Sequence, residues 1–265
     1  MHYVEHGPSA GDDPPTAVML HGFTPDHRLM TGCFEPVFVT RPSWRRLYLD
    51  LPGMGRTTSA EHVASTDAVL EVVREAIDTL VPRGEYVLCG ESYGGYLARG
   101  LAAAEPDRVH GMALICPMLV ADHADRDVPD HIMLAVDADL VDRLGPGSEF
   151  LEIAVIANEE TCRRTQDEVA IGIEIADEAA LDRIREGWSG SFALERPDEP
   201  FQRPVLILTG RQDSSTGYRD VWPLLEHYPR ATFAVLDRAG HNAQIEQPVL
   251  FKALVHEWLD RVEEH

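Results

Sequence analysis

A serine stands between two glycines in Gly90-Glu-Ser-Tyr-Gly94, directly after the apolar run 86–90 and directly before a stretch rich in Ala and Leu. A strand that feeds a helix through a turn at Ser92 would project its hydroxyl above the end of a sheet. The backbone at Ser92 must then be strained, and Gly90 and Gly94 lack the Cβ atoms that would keep strand and helix apart. The new helix would bring its N-terminal amides and positive dipole end to the serine, where an oxyanion would form. The chemistry this suits is attack by a serine oxygen on a carbonyl carbon.

A hydroxyl is a weak nucleophile near neutral pH and needs a base. Among twelve histidines, His241 in Leu236-Asp-Arg-Ala-Gly-His-Asn242 follows an apolar strand and precedes the final helical pattern. Its loop would open on the same carboxyl edge of the sheet as Ser92, where open α/β sheets place their sites. The imidazole needs a carboxylate to fix its tautomer. Asp213 follows the run 205–209 in Gly210-Arg-Gln-Asp213, although Ser214, Ser215 and Gly217 around it also suit a turn or cap. Asp237, four residues before His241, is the rival; the chain order Ser, Asp, His favours Asp213. Two backbone amides complete the set, one from Tyr93 and one from Phe23, which follows the strand-ending His21-Gly22. Each such donor is typically worth ~3 kcal/mol of barrier. His21 reads as structural, and the side chains of Phe23 and Tyr93 as pocket walls or core.

These groups need a scaffold that gathers strand ends at one rim. Strands are expected at 17–21, 46–49, 86–90, 109–115, 205–209 and 232–236, with helices near 63–81, 93–104, 218–227 and 249–262. This βαβ rhythm implies an α/β fold with a mostly parallel sheet covered on both faces. The rhythm breaks between 117 and 200, where helices are expected at 130–144, 149–171 and 177–188. We therefore expect a core of 1–116 plus 201–265 and a helical cap over 117–200. Residues 118–200 hold 21 Asp or Glu against 7 Arg, a net of −14, which would disfavour acidic substrates wherever it faced the pocket.

The 265 residues carry a net charge of −22, and Lys252 is the one Lys among 23 basic residues. That balance opposes nucleic acid and anionic membrane surfaces. No apolar run approaches the ~18 residues of a membrane helix, and the opening residues lack a basic and an apolar region of secretory type. Cys33, Cys89, Cys116 and Cys162 show no paired metal spacing. Reduced cysteines in a cytoplasm are the expectation. Nothing in the sequence fixes an oligomeric state.

Taken in order, His21-Gly22-Phe23, Asp50-Leu-Pro-Gly-Met-Gly-Arg56, Gly90-Glu-Ser-Tyr-Gly94, Gly210-Arg-Gln-Asp213 and Gly240-His241 resemble the motif series of the α/β-hydrolase superfamily. The resemblance covers the chain apart from the expected cap and implies an α/β-hydrolase fold. The sheet would be eight-stranded and mostly parallel, with a helical cap after the sixth strand and a cofactor-free, metal-free Ser-His-Asp site beneath it. It also implies that residues 50–56 form a structural loop; with no Gly-x-x-x-x-Gly-Lys run, a nucleotide site is not expected. Serine at the elbow separates the chain from the haloalkane dehalogenases and epoxide hydrolases, which use Asp there. Glu91 reads as a supporting residue. The resemblance points to cleavage of a small carboxylic ester as the activity. The alternatives are a proline iminopeptidase-like activity, with cap residues Glu159 and Glu160 pairing a substrate amine, hydrolysis of a carbon–carbon bond, and a ligand-binding relative with little chemistry.

Overall fold

A computed structural model describes residues 1–9, 11, 14–82, 84–196 and 198–264. Its strands and helices follow the chain as β1 (Tyr3–His6), β2 (Thr16–Leu20), α1 (His27–Phe38), β3 (Arg45–Leu49), α2 (Thr66–Leu80), β4 (Tyr86–Glu91), α3 (Tyr93–Ala104) and β5 (Val109–Ile115). Between β5 and β8 come β6 (Ala135–Val136), α4 (Ala138–Leu144), α5 (Glu149–Ile153), β7 (Ile156–Ala157), α6 (Glu159–Thr165), α7 (Ile171–Ile175) and α8 (Glu178–Glu186). The chain closes with β8 (Val205–Gly210), β9 (Ala231–Leu236), α9 (Ala243–Glu246) and α10 (Pro248–Glu263).

The main sheet runs β1-β3-β2-β4-β5-β8-β9, with β1 antiparallel to β3 and every other pairing parallel. Among the described residues the main sheet thus has seven strands where the family resemblance implies eight. The segment between β1 and β2 is rich in Gly and Pro, and the chain leaves the sheet at Gly7, whose φ of +89 packs it against the Trp44 carbonyl. Proline offers no donor to a ladder.

Alternation of side chains along each strand divides the core into two layers. On β2, Val18 and Leu20 face α2 and α3 together with Val69, Val73, Leu97 and Leu101. Ala17 and Met19 face α1 and α10, among Phe34, Val37, Phe251 and Trp258. Both faces are covered, which is why the central strands β2, β4, β5 and β8 read as apolar runs. The helix starts are set by side-chain caps: Ser65 accepts from the Ala68 amide at 3.2 Å before α2, and Asp26 from the Arg28 amide at 2.9 Å before α1.

Order along the sheet reverses at β2, whose neighbours are β3 on one side and β4 on the other. A crevice opens at such a switch point, outside the carboxyl ends of the strands. The loop 21–24 leaves β2 there and the turn at Ser92 leaves β4.

The expected helix over 149–171 is broken. The chain emerges from α5 extended, and the amides of Val155 and Ile156 donate to one buried oxygen of Glu246 at 2.6 and 3.0 Å. Ile156 and Ala157 then pair in parallel with β6. Bonds to a carboxylate from a distant helix outweigh the local preference for helix. The region expected to be helical near 218–227 forms only a 3-10 turn over Arg219–Leu224, which contains Pro223.

Candidate active site

Three non-glycine residues among those described have positive φ, Thr24 at 87°, Ser92 at 50° and Cys116 at 41°. They follow β2, β4 and β5, side by side at the carboxyl edge, a placement that concentrates strain at the crevice. Ser92 sits at φ 50°, ψ −114° directly before α3. The crossing is tight: a Cβ on Gly94 would overlap the carbonyl oxygen of Leu20 and lie 2.7 Å from that of His21. Backbone cannot retreat as a flexible side chain can. Gly94→Ala is therefore expected to destabilise the protein by about 3 kcal/mol, read as a lower urea-unfolding midpoint at unchanged slope.

His241 lies on the turn after β9, and its Nε2 is 2.9 Å from Ser92 Oγ. Its Nδ1 is 3.0 Å from Asp213 Oδ2. The carboxylate is fully buried and saturated: Oδ1 accepts from the amides of Ser215 (2.8 Å) and Thr216 (3.0 Å), and Oδ2 also accepts from the Thr216 hydroxyl at 2.8 Å. Burial alone would raise the Asp213 pKa, but the adjacent His241 charge and these donors hold it below the usual carboxylate range. For His241 burial works downward, yet Asp213 and then Glu91 carry the imidazole up to about 9. Asp237 is exposed and is joined to Gln212 through its backbone carbonyl.

The Gly22–Phe23 turn lies against the elbow, since a Cβ on Gly22 would come within 3.4 Å of Ser92 Cβ. Tyr93 is the first residue of α3, so its amide has no intrahelical acceptor. His21 fixes the turn: its Nδ1 is 2.7 Å from the Gly22 carbonyl, and its Nε2 accepts from the Leu51 amide at 3.0 Å. Burial lowers its pKa, keeping the ring neutral for that double role.

The remaining sequence candidates divide. Phe23 borders a cavity and packs edge-on against Trp188 with ring centroids 4.7 Å apart. Tyr93, considered as a pocket wall, instead has a fully buried side chain. It donates its hydroxyl to Thr66 Oγ1 at 3.0 Å and is stacked beneath Trp188 at 4.9 Å. Glu159 and Glu160, considered as pocket carboxylates, are not brought to the site. Both are 65% exposed at the start of α6 and paired with Arg143 and Arg163. At the surface both carboxylates keep their hydration beside an arginine, which burial in a pocket would remove.

Two acidic side chains matter more than the sequence suggested. Glu91, 3% exposed, holds Oε1 3.4 Å from His241 Nε2, and the Gly22 amide donates to its carboxylate. Burial pushes its pKa up to about 7, against the opposing pull of His241. The two titrate as a coupled pair. Glu91→Gln removes a negative charge that favours the imidazolium, so the acidic limb of the kcat/KM–pH profile is expected to move down by about 1 pH unit. An unchanged limb would show that Glu91 only packs. The second is Glu246, whose other oxygen accepts from the Gly240 amide at 2.6 Å. One buried carboxylate thus ties β7 to the residue before His241. Glu91 adjoins the nucleophile in the sequence and reads there as a supporting residue; no periodicity marks Glu246.

Among the described residues two donor groups lie close enough to share a cation, His2 with His27 and Asp50, and Cys116 with Asp213 and His241. In the first, both Nδ1 atoms are already 2.7 Å from Asp50 oxygens, which also accept from the amides of His27 and Arg56. That set closes the loop at 50–56. In the second, burial pushes the Cys116 thiol well up, favouring the neutral form that does not ligate metals.

A strained serine on a strand–helix elbow, bonded through histidine to a buried aspartate at a parallel-sheet rim, defines a hydrolase of the α/β type. Residues 15–248 match the family model for the alpha/beta hydrolase fold, and the chain belongs to that family. It is 26% identical over 254 residues to the pimeloyl-[acyl-carrier protein] methyl ester esterase of Nitrosomonas europaea, covering 89% of this chain and 92% of that one. It is also 26% identical over 276 residues to the 2-hydroxy-6-oxononadienedioate/2-hydroxy-6-oxononatrienedioate hydrolase of Paraburkholderia phymatum, covering 98% and 90%. Among solved structures it resembles an alpha/beta superfamily hydrolase from Oenococcus oeni PSU-1 at TM-score 0.89 and 30% identity, covering 98% and 96%. The chain is an enzyme, a hydrolase. Among the described residues no helix is long and apolar enough to cross a membrane.

Proposed function

We propose that the protein hydrolyses a small carboxylic ester through an acyl-enzyme, with Ser92 as nucleophile, His241 as general base and Asp213 as the group that orients and stabilises the imidazolium. What carries this reading is the continuous line from Ser92 Oγ to His241 Nε2 (2.9 Å) and from Nδ1 to Asp213 Oδ2 (3.0 Å). His241 takes the Ser92 proton as Oγ adds to the carbonyl, and the amides of Phe23 and Tyr93 hold the oxyanion. The tetrahedral adduct collapses, the carbon–oxygen bond to the leaving group breaks, and His241 gives its proton to the departing alcohol. Water then adds to the acyl-enzyme with His241 as base, and expulsion of Ser92 Oγ, reprotonated by His241, releases the acid. Residues 117–200 act as a cap over this rim, tied to the histidine turn through Glu246.

The substrate is a small molecule and the compartment the cytoplasm, in keeping with four free, buried cysteines and a net charge of −22 that repels nucleic acid. An aminopeptidase reading would need a carboxylate in the pocket for the substrate amine; Glu159 and Glu160, exposed and paired with arginines, do not favour it. Turnover of p-nitrophenyl acetate and butyrate, a thioester and proline p-nitroanilide, with Ser92→Ala as control, tests the choice. Ester cleavage lost in the variant is the expected result; faster cleavage of the anilide than of any ester would overturn it.

A further inference from the structure

A cavity of about 540 Å³ opens beside the Phe23 turn. Phe23 and Trp188 give it an apolar wall, and Arg126, Arg185 and His123 line it with Asp122 as the one carboxylate. This reverses the expectation from the acidic composition of 118–200, which would disfavour acidic substrates. Arg185 lies over the Phe23 ring at 5.2 Å but is neutralised by Asp182 at 2.6 Å and Glu178 at 3.5 Å. Arg126 is different. Its guanidinium donates to three backbone carbonyls, Val120 (2.7 Å), Ala121 (2.8 Å) and Ser215 (2.9 Å), and among the described residues it makes no ion pair with a carboxylate. A guanidinium has five N–H donors, so two remain for a ligand.

Position strengthens the point. Ser215, one of the three acceptors, also donates its amide to Asp213, so Arg126 is anchored to the turn that carries the triad carboxylate. Its charge is near enough to act on His241 and to feel Asp213, with Asp122 and Asp220 acting on it more weakly. A half-buried guanidinium, locked by three carbonyls and in direct ion pairing with none of the carboxylates around it, is preorganised for an anion and loses little side-chain entropy on binding one.

We propose that this cavity receives a carboxylate at the end of the substrate remote from the scissile bond, with Arg126 as its anchor, so that the enzyme prefers half-esters of dicarboxylic acids to neutral esters. The preference rests on the serine-esterase reading above; the anion site does not. The test compares kcat/KM for monomethyl adipate and dimethyl adipate in the wild type and in Arg126→Gln. Loss of a charge-assisted contact should lower the monoester-to-diester ratio by about 10-fold or more. An unchanged ratio would overturn the proposal, because Arg126 would then serve only as a clamp between loops.

Calorimetry on the Ser92→Ala protein keeps the question open to refutation should Arg126→Gln fail to fold. Adipate should bind saturably at one site and adipamide at least about 10-fold more weakly; equal binding, or none, contradicts the anion site. Dimethyl adipate cleaved without adipate binding would leave the esterase standing and remove the site. Adipate bound by a protein that cleaves no ester would do the reverse.

Discussion

Ser92→Ala is expected to reduce ester turnover by about 10⁵-fold while leaving the unfolding midpoint near that of the wild type. The loss is large because no other group can form the acyl-enzyme at this position. Glu91, the nearest acid, has its carboxylate engaged by the Gly22 amide and the imidazole of His241. Residual catalysis over water would come from the Phe23 and Tyr93 amides and from binding alone. The fold should tolerate the change: alanine keeps the Cβ, and the Ser92 backbone bonds from Gly95, Tyr96 and Met118 to its carbonyl do not involve Oγ. Alanine at φ 50° carries the same strain as serine, so stability is expected to move by less than about 1 kcal/mol. Steady-state turnover of p-nitrophenyl butyrate alongside a urea melt checks both halves.

Asp213→Asn should cost nearly as much, about 10³- to 10⁴-fold in kcat, for a subtler reason. Oδ1 accepts from two backbone amides, Ser215 and Thr216, so the asparagine oxygen is compelled to take that place. Its NH2 then occupies the Oδ2 position, 3.0 Å from His241 Nδ1. A donor there makes Nδ1 an acceptor and moves the ring proton to Nε2, the atom that must receive the Ser92 proton. The base is present but in the wrong tautomer. Removing the Asp213 charge also withdraws the largest influence raising the His241 pKa, so the surviving activity should show its acidic limb displaced to lower pH. Full activity with an unchanged pH profile would remove Asp213 from the mechanism.

The parallel strands were legible to within a residue or two, the central ones because burial on both faces writes them as apolar runs; β5 matches the expected 109–115 at both ends and α3 the expected 93–104. β1 escaped because an edge strand alternates exposed and half-buried residues and carries no such run. α1 escaped because Gly32 and Pro36 interrupt its pattern, although Leu29, Met30, Phe34 and Val37 are buried. Gly32 is there for contact: a Cβ would overlap the Glu168 side chain. The residues that meet at the rim were legible from their motifs, since each follows a strand at the same edge. The surroundings were not. Glu246 reaches the turn before His241 and β7 from a separate helix, and Arg126 gains its meaning from the Ser215 carbonyl 89 positions away. Local sequence cannot encode such partners; only the packed chain brings them together.

The most direct measurement is covalent labelling by a fluorophosphonate, read by peptide mass spectrometry. One adduct per chain on the peptide containing Ser92, abolished in Ser92→Ala and slowed by several orders of magnitude in His241→Ala, is the result expected of a histidine-activated serine. An unlabelled wild-type protein, or an adduct on another residue that persists in Ser92→Ala, would contradict the assignment of Ser92 as the nucleophile.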